Sequence, residues 1–375
     1  MLYPDNSPVF YRSGNADCKQ ILAGKPELGK NQLQRSAVMT ERIEDLLEKA
    51  IEFREGFFSE SHQEAFRLFN GFAEGFPELA VDLYGKTIVI HNYADKPLLA
   101  SASANAAERF LTKRFHWLSA IVVKTRNSVD VRERRGRVVF GTEPDRKILE
   151  NGVLFAIDLT LNRDASFYLD TRNVRFWAKQ SLRDKSILNT FAYTGSLGVA
   201  AAAGGASRVV HLELNRNFLN VAKTSYTLNG FQIDKADFMT GDFWPFINRL
   251  KASAELFDCV FLDPPIYSST SKGVVDLARG YARLVNKVRP LIAHNGHLVA
   301  INNALYVSGA DYIREIEALC SDGYLSIEEI IPVPDDSVGC RRGTVLVTDP
   351  SPFNHSTKIA VLKIRRKDEA AATPV

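Results

Sequence analysis

Cysteine is scarce: four in 375 residues, at Cys18, Cys259, Cys320 and Cys340. None belongs to a Cys-x-x-Cys pair, so neither a zinc site nor a redox dithiol is indicated. Cys259 sits in an apolar run and reads as core. The seven histidines form no cluster, and no metal is expected. Long hydrophobic runs are missing as well. No stretch approaches roughly 18 consecutive apolar residues, which argues against a membrane span. Residues 1–11 lack a basic segment followed by an apolar one, against a secretory signal. Charge of one sign is also in short supply, at a net +3, too mild to establish a polyanionic partner by itself. These absences together predict a reduced, cytoplasmic protein. Hydrophobic residues make up 45% and charged ones 24%, close to the globular average. At roughly 100–200 residues per domain the length allows two or three domains.

Charge is uneven along the chain. Residues 124–137 hold six basic side chains against Asp130 and Glu133. Lys124, Arg126, Arg134 and Arg135 are the candidates for phosphate contact; a solvated strand face is the competing reading. Lys363, Arg365, Arg366 and Lys367 form a second cluster.

No repeat is found, and the only low-complexity tract is the tail 368–375. Ile43, Leu46, Leu47, Ala50 and Phe53 recur at helical spacing within 37–55, where Gly56 is a stop. Residues 1–59 therefore read as an N-terminal segment with one helix. Residues 60–150 read as a small α+β domain. Apolar runs at 79–83 and 87–91 flank Tyr84-Gly85-Lys86 as a hairpin, a helix follows over 97–113, and strands are expected at 120–124 and 137–140. Glu150-Asn151-Gly152 is the expected boundary. From there to residue 375 strands alternate with helices, the mark of a parallel doubly wound sheet. A helix is expected over 275–288, and His294 and His297 are expected in a turn.

Four features of this last unit carry chemistry. Residues 187–198 read as strand, tight turn and helix, with Asn189, Phe191, Ala192, Tyr193, Thr194 and Gly195 forming a ligand loop. Glu213 ends the next strand, where an acid can accept both hydroxyls of a ribose; Leu214 and Asn215 follow it. Asp242, after the third strand, can accept from an adenine amino group while Phe243 packs on the ring. Then Asp263-Pro264-Pro265-Ile266-Tyr267 ends an apolar strand. Two prolines fix φ twice and remove two N–H groups. The result is a rigid elbow, aimed at the end of the sheet where such folds bind ligands.

These residues resemble those of the bacterial large-subunit ribosomal RNA methyltransferases, a group with cytosine-C5 and guanine-N7 members. The matching stretches are Asn70-Gly71, Gly75-Phe76-Pro77, Val81-Asp82-Leu83-Tyr84-Gly85, Phe167-Tyr168-Leu169-Asp170-Thr171-Arg172, Phe191-Ala192-Tyr193-Thr194-Gly195, Thr227-Leu228-Asn229-Gly230 and Asp263-Pro264-Pro265. The resemblance implies a class I methyltransferase fold, a Rossmann-like doubly wound sheet with an antiparallel last strand, preceded by a small α+β domain. It implies S-adenosylmethionine as cofactor, held by the loop 191–195, Glu213, Asp242 and Asp263, with Asp170 and Arg172 at the rim. RNA is the implied partner, with neither membrane nor metal, and a homodimer is a compatible assembly. The chain departs from the group where Asp164-Ala165-Ser166 replaces Lys-Thr-Gly. A PUA-type RNA-binding module is not evident in residues 1–59.

Cytosine C5 needs a cysteine to add at C6 before it can be methylated. Neither Asp-Pro-Pro nor the next strand end, Asn302-Asn303, offers one. That favours a ring or amino nitrogen, guanine N7 above all, with Asn302 and Asn303 near the substrate. Asp263, Pro264, Pro265 and Tyr267 would present and stack the base. Cytosine C5 remains the alternative. A nicotinamide dehydrogenase would want G-x-G-x-x-G, of which 193–198 supplies two glycines, and a hydrolase would want G-x-S-x-G, where Thr194 replaces the first glycine. A non-catalytic RNA-binding module would not need an intact set of Glu213, Asp242 and Asp263.

Overall fold

The computed structural model describes residues 27–95, 97–339, 353 and 355–367. Helix α1 (Glu27–Phe53) leads into five strands, β1 (Ala65–Asn70), β2 (Leu79–Tyr84), β3 (Thr87–Asn92), β4 (Ala120–Thr125) and β5 (Arg137–Gly141). They pair in sequence order, antiparallel except for β3 and β4, which run parallel because α2 (Pro97–Arg114) crosses between them. Gly85, at φ +62°, turns the β2–β3 hairpin in two residues. Ile43, Leu47 and Ala50 of α1 are buried against this sheet, so the apolar stripe of that helix has a face to cover. A short helix, α3 (Val131–Arg135), precedes β5.

Glu150-Asn151-Gly152 is not a linker. It is the turn of a ribbon formed by β6 (Lys147–Glu150) and β7 (Val153–Ala156), with Asn151 and Gly152 both at positive φ. The ribbon packs on the second half of the chain through α6 (Arg216–Leu228), whose Asn229 cap bonds both the N–H and the carbonyl of Leu154.

The seven-stranded sheet is the architectural core. Its strands are β8 (Ser186–Thr190), β9 (Arg208–Glu213), β10 (Phe238–Thr240), β11 (Phe257–Leu262), β14 (Ile292–Asn302), β15 (Leu325–Ile330) and β16 (Lys358–Ile364); the β12–β13 hairpin (Tyr267–Thr270, Gly273–Asp276) lies outside it. Spatial order is β10-β9-β8-β11-β14-β16-β15, and β16 alone runs against both neighbours. The order reverses between β8 and β11, and a doubly wound sheet opens a crevice at such a point. Helices α4 (Arg172–Ser181), α5 (Ser196–Ala203) and α6, and on the other face α7 (Phe243–Ala252), α8 (Tyr281–Val288) and α9 (Gly309–Cys320), cover the sheet with two apolar clusters. Successive strand residues such as Ile187 and Leu188, Val209 and Val210, or Val260 and Phe261 are therefore all buried, on one face and then the other, as a parallel sheet requires.

Two local expectations differ. Residues 273–276 pair as a strand, and the helix begins only after Gly280. His294 and His297 belong to β14, where Asn295 at φ +60° kinks the strand and His297 pairs with Glu328 at 2.7 Å.

The two sheets are tied by buried charge. The carboxylate of Asp336, in α10 (Asp335–Val338), is fully buried. It accepts from the backbone N–H of Arg67 at 2.8 Å and from Arg172 Nη1 at 2.6 Å. Arg54, equally buried, donates to Glu74 and to the Asp336 carbonyl. Breaking one member of such a network would strand the others without partners.

Candidate active site

The loop 191–195 leaves β8 with three residues in the left-handed region, Phe191 (+51°), Tyr193 (+51°) and Gly195 (+79°). Non-glycine residues rarely adopt it, and such strain gathers at functional sites. Gly195 is required sterically: a Cβ there would lie 2.5 Å from the Ala222 Cβ and 3.2 Å from the His211 ring. His211 is wholly buried between β8 and α6, and burial pushes it down to about 3, so it is a neutral packing group. Asn189 touches it at 3.3 Å and is itself buried.

The Glu213 carboxylate is buried and accepts from the Tyr193 N–H at 3.0 Å and the Asn215 N–H at 2.9 Å. Burial raises its pKa and these N–H groups counter it. One N–H per oxygen leaves acceptor capacity on both. Asn215 caps α6, and Leu214 is exposed beside it. Asp242 caps α7 through Trp244 N–H at 2.9 Å, and Phe243 stacks on Phe191 with ring centroids 4.5 Å apart. Gly241 N–H bonds the Glu213 carbonyl, and Ala192 N–H bonds the Leu212 carbonyl, which knits the tips of β8, β9 and β10 together.

Asp263 follows β11 with no hydrogen-bond partner among the described residues. Its removal from water, and then the neighbouring Asp170, push it up to about 7. Asp170 itself accepts from the Thr357 hydroxyl at 2.7 Å. Pro264 is buried, while Tyr267 is exposed at the start of β12. Gly195, Glu213, Asp242 and Asp263 thus stand on the carboxyl ends of four adjacent parallel strands.

Three expected residues are committed elsewhere. Arg172 is held by Asp336 and by the Ala65 carbonyl, as a clamp between the two sheets, which removes it from the cofactor rim. Lys124 is 0% exposed, its ammonium donating to the Arg135 and Asn162 carbonyls. Burial, and then Arg126, bring it down to about 7, so it is no phosphate contact. Asn302 is also fully buried; its Oδ1 accepts from Ala304 N–H, and its Nδ2 is buried without a partner among the described residues. Arg126 pairs with Asp164 at 3.0 Å, and Arg134 donates to the Ser128 carbonyl. Arg135 is exposed, and Asn303 is half-buried with an unpartnered Oδ1. Composition gave no sign of Asn162, which accepts from the Tyr193 hydroxyl at 3.0 Å, or of Ser166, whose carbonyl accepts from Thr194 at 2.5 Å. Their only signal was the departure at Asp164-Ala165-Ser166.

A family model described as S-adenosylmethionine-dependent methyltransferase matches residues 137–336, more than half of the chain. The chain belongs to this methyltransferase family. Among curated relatives, the ribosomal RNA large subunit methyltransferase I of Aliivibrio fischeri (strain MJ11) is 27% identical over 288 residues, which is 75% of this chain and 70% of the relative. The enzyme of the same name from Vibrio cholerae is 29% identical over 225 residues, or 58% and 55%. The chain thus spans little more than half of the second relative. A candidate methyltransferase solved in complex with SAH (S-adenosylhomocysteine) superposes with a TM-score of 0.75 at 21% identity, covering 87% of this chain and 82% of that one. A SAM-dependent methyltransferase from Agrobacterium tumefaciens gives 0.55 at 20%, covering 77% and 88%. At those identities the likeness is one of fold, and it agrees with the class I sheet order described above.

The residues present suit the cofactor of this family. An adenosyl group offers two ribose hydroxyls and one amino group as donors. The Glu213 and Asp242 carboxylates have open acceptor positions on adjacent strand tips, beside the stacked Phe191 and Phe243 rings. Among the described residues no group of three or more metal-ligating side chains occurs, and no helix is long and apolar enough to cross a membrane.

Proposed function

We propose that the chain methylates a base of large-subunit ribosomal RNA, at a ring nitrogen and most specifically at guanine N7. Glu213 would hold the ribose and Asp242 the adenine amino group, with Phe243 against the ring and the loop 191–195 around the rest. When bound, S-adenosylmethionine supplies an electrophilic methyl group on a sulfonium. The chain's own part is then to align a nucleophilic lone pair with it and to exclude water.

The observation that carries the nitrogen reading is the pairing of Asp263, at the end of β11, with Asp170 from the turn before α4, without a cysteine beside them. Cys259 is fully buried inside β11 with its thiol pushed far up by burial, and Cys320 lies in α9; Cys18 and Cys340 fall outside the described residues. Alkylating N7 leaves the purine cationic and needs no proton to depart. Adjacent carboxylates stabilise that charge, and their open acceptors suit the N1–H and amino donors of guanine. In this division of labour the five-stranded sheet, with α1 packed on it, would meet RNA; the expected bounds at 59 and 150 fall within packed units, because α1 covers that sheet and β6 pairs with β7 across 150–152.

The test is methylation of large-subunit ribosomal RNA from cells lacking the protein, followed by borohydride reduction and aniline cleavage. Strand scission at one guanine is the expected result. A covalent adduct with 5-fluorocytidine RNA would assign cytosine C5 instead, and no incorporation into any ribosomal RNA would remove the substrate class.

A further inference from the structure

Between the two sheets lies a cavity of about 220 Å³ whose walls belong to neither alone. The five-stranded sheet contributes Arg67, His91, Tyr93 and Arg126; the methyltransferase half contributes Tyr168 and Asp170. Its volume is below the roughly 300–1,000 Å³ of sites for drug-sized ligands, which is room for a single planar ring system.

The cations of this cavity are already neutralised. Arg67 bonds Asp82 at 2.5 and 3.2 Å, and His91 Nε2 meets the same carboxylate at 3.1 Å. Arg126 bonds Asp164 at 3.0 Å, whose other oxygen accepts from the Tyr168 hydroxyl at 3.2 Å. Such a lining disfavours a phosphate, which would have to compete with both carboxylates. It favours a neutral, flat ligand. Tyr93 and Tyr168 are 41% and 40% exposed, and the Arg126 guanidinium lies 5.7 Å from the Tyr93 ring centre, holding that ring in place. His91 and Arg126 are fixed parts of the wall: His91 is 5% exposed and held through Nε2 by Asp82, and Arg126 is held by Asp164.

Two of the cavity's wall residues, Tyr168 and Asp170, also border the transfer site. Tyr168 packs on Tyr193 at 5.2 Å between ring centres, and Asp170 is the charge that raises Asp263. We infer that this inter-sheet cavity seats one unstacked base of the RNA substrate next to Asp263, with Tyr93 as its stacking platform and Asp170 accepting from its donor edge. This rests on the RNA reading above and deepens it. Bases splayed from single strands and stacked on aromatic side chains are the usual means of reading RNA. The geometry here makes that platform a residue of the small domain, outside the methyltransferase half.

The experiment uses the full chain and a fluorescein-labelled 12-nucleotide single-stranded RNA of random sequence, read by anisotropy, with calorimetric titration of S-adenosylhomocysteine in parallel. Tyr93→Ala should weaken RNA binding about tenfold and leave the affinity for S-adenosylhomocysteine within twofold, which also certifies that the variant is folded. Tyr93→Phe and Tyr93→Trp should bind RNA as the parent does. RNA affinity unchanged in Tyr93→Ala, or lost equally in Tyr93→Phe, would overturn the inference while leaving the proposed function intact. If the parent chain binds S-adenosylhomocysteine but no RNA, the substrate reading itself fails, and the cavity assignment falls with it.

Discussion

At the carboxyl ends of β8 to β11, Glu213, Asp242 and Asp263 are acids with acceptor positions left over. In the other sheet, Lys124 within β4 and Arg126 just past it are bases whose terminal nitrogens donate to Asn162, Arg135, Arg163 and Asp164. The charged residues of the two regions are equally conspicuous in the sequence, yet only the acids of the first keep positions free for a ligand, while the bases of the second are spent on ties within the chain. Position explains the difference for Lys124, whereas Arg126, one residue past β4, is taken up by its pairing with Asp164. A side chain just past a parallel strand has no following strand to cover it and overhangs the crevice. A side chain within β4, buried along most of its length, meets backbone carbonyls of the neighbouring half and is used to tie it down. Density of charge is therefore a poor guide to function compared with placement at a strand end.

The sharpest way to break the comparison is at Asp263. Asp263→Asn keeps the shape and removes the charge, and it should lower kcat/KM by roughly 100-fold while the affinity for S-adenosylhomocysteine changes little. Since kcat/KM reports groups of the free enzyme, the parent's profile should rise with pH through about 7, and that limb should vanish in the variant. Stability moves the other way. A carboxyl whose folded pKa is raised from 3.8 to about 7 stabilises below the unfolded value and loses that contribution as pH climbs through 7. Thermal melts above pH 7 should therefore find Asp263→Asn more stable than the parent. Equal activity, or lower stability, would show that the acid is structural.

Next in size is Glu213→Ala, which removes the acceptor and strands the Tyr193 and Asn215 N–H groups. Hydrogen bonds to a charged group contribute about 1.5–3 kcal/mol, so calorimetry should show affinity for S-adenosylhomocysteine falling roughly 10- to 100-fold. An unchanged affinity would place the ribose elsewhere.

How far the sequence reveals this site depends on the interaction range involved. Strand–turn–helix units and their terminal acids are local, and Arg208–Glu213, Phe257–Leu262 and the 191–195 loop emerge with bounds read directly from apolar runs and glycine. The fold class is legible for the same reason. What escapes is long-range. Arg172 reads as a rim residue until Asp336, far along the chain, is seen to claim it. Asn302 reads as a substrate contact until β14 is found in the middle of the sheet, paired with β16, with this side chain fully buried. The β12–β13 hairpin is hidden because Val274 and Val275 continue an apolar pattern that also suits a helix, and only pairing with Ser268 and Ser269 decides it. Tyr93 and His91 carry no motif at all; the cavity they line exists only once the two sheets meet.

A smaller effect distinguishes strain from chemistry within the acidic region. Gly195→Ala places a methyl group 2.5 Å from Ala222 at a φ of +79°. The backbone conformation alone costs about 1–3 kcal/mol, which in a domain of this size lowers Tm by a few degrees. A melt unchanged by the substitution would mean that the loop relaxes freely and is not preorganised.

The least of the expected effects tests the basic region directly. Arg135 is exposed and Lys124 is not, although both belong to the same cluster of charge. If exposed cations of this sheet follow an RNA backbone, Arg135→Ala should weaken binding a few-fold, by the same factor for every RNA sequence, and reduce the slope of log affinity against log salt by about 1. Lys124→Met should leave that slope alone and act on stability instead. With its folded pKa near 7 against 10.5 unfolded, Lys124 binds fewer protons folded than unfolded between those values, so stability from this group grows as pH rises from 7 to 10. The methionine variant should lose that growth. A salt slope that responds to Lys124 and not to Arg135 would invert the assignment, since it would require the buried ammonium to reach solvent and the exposed guanidinium to stay clear of the phosphates.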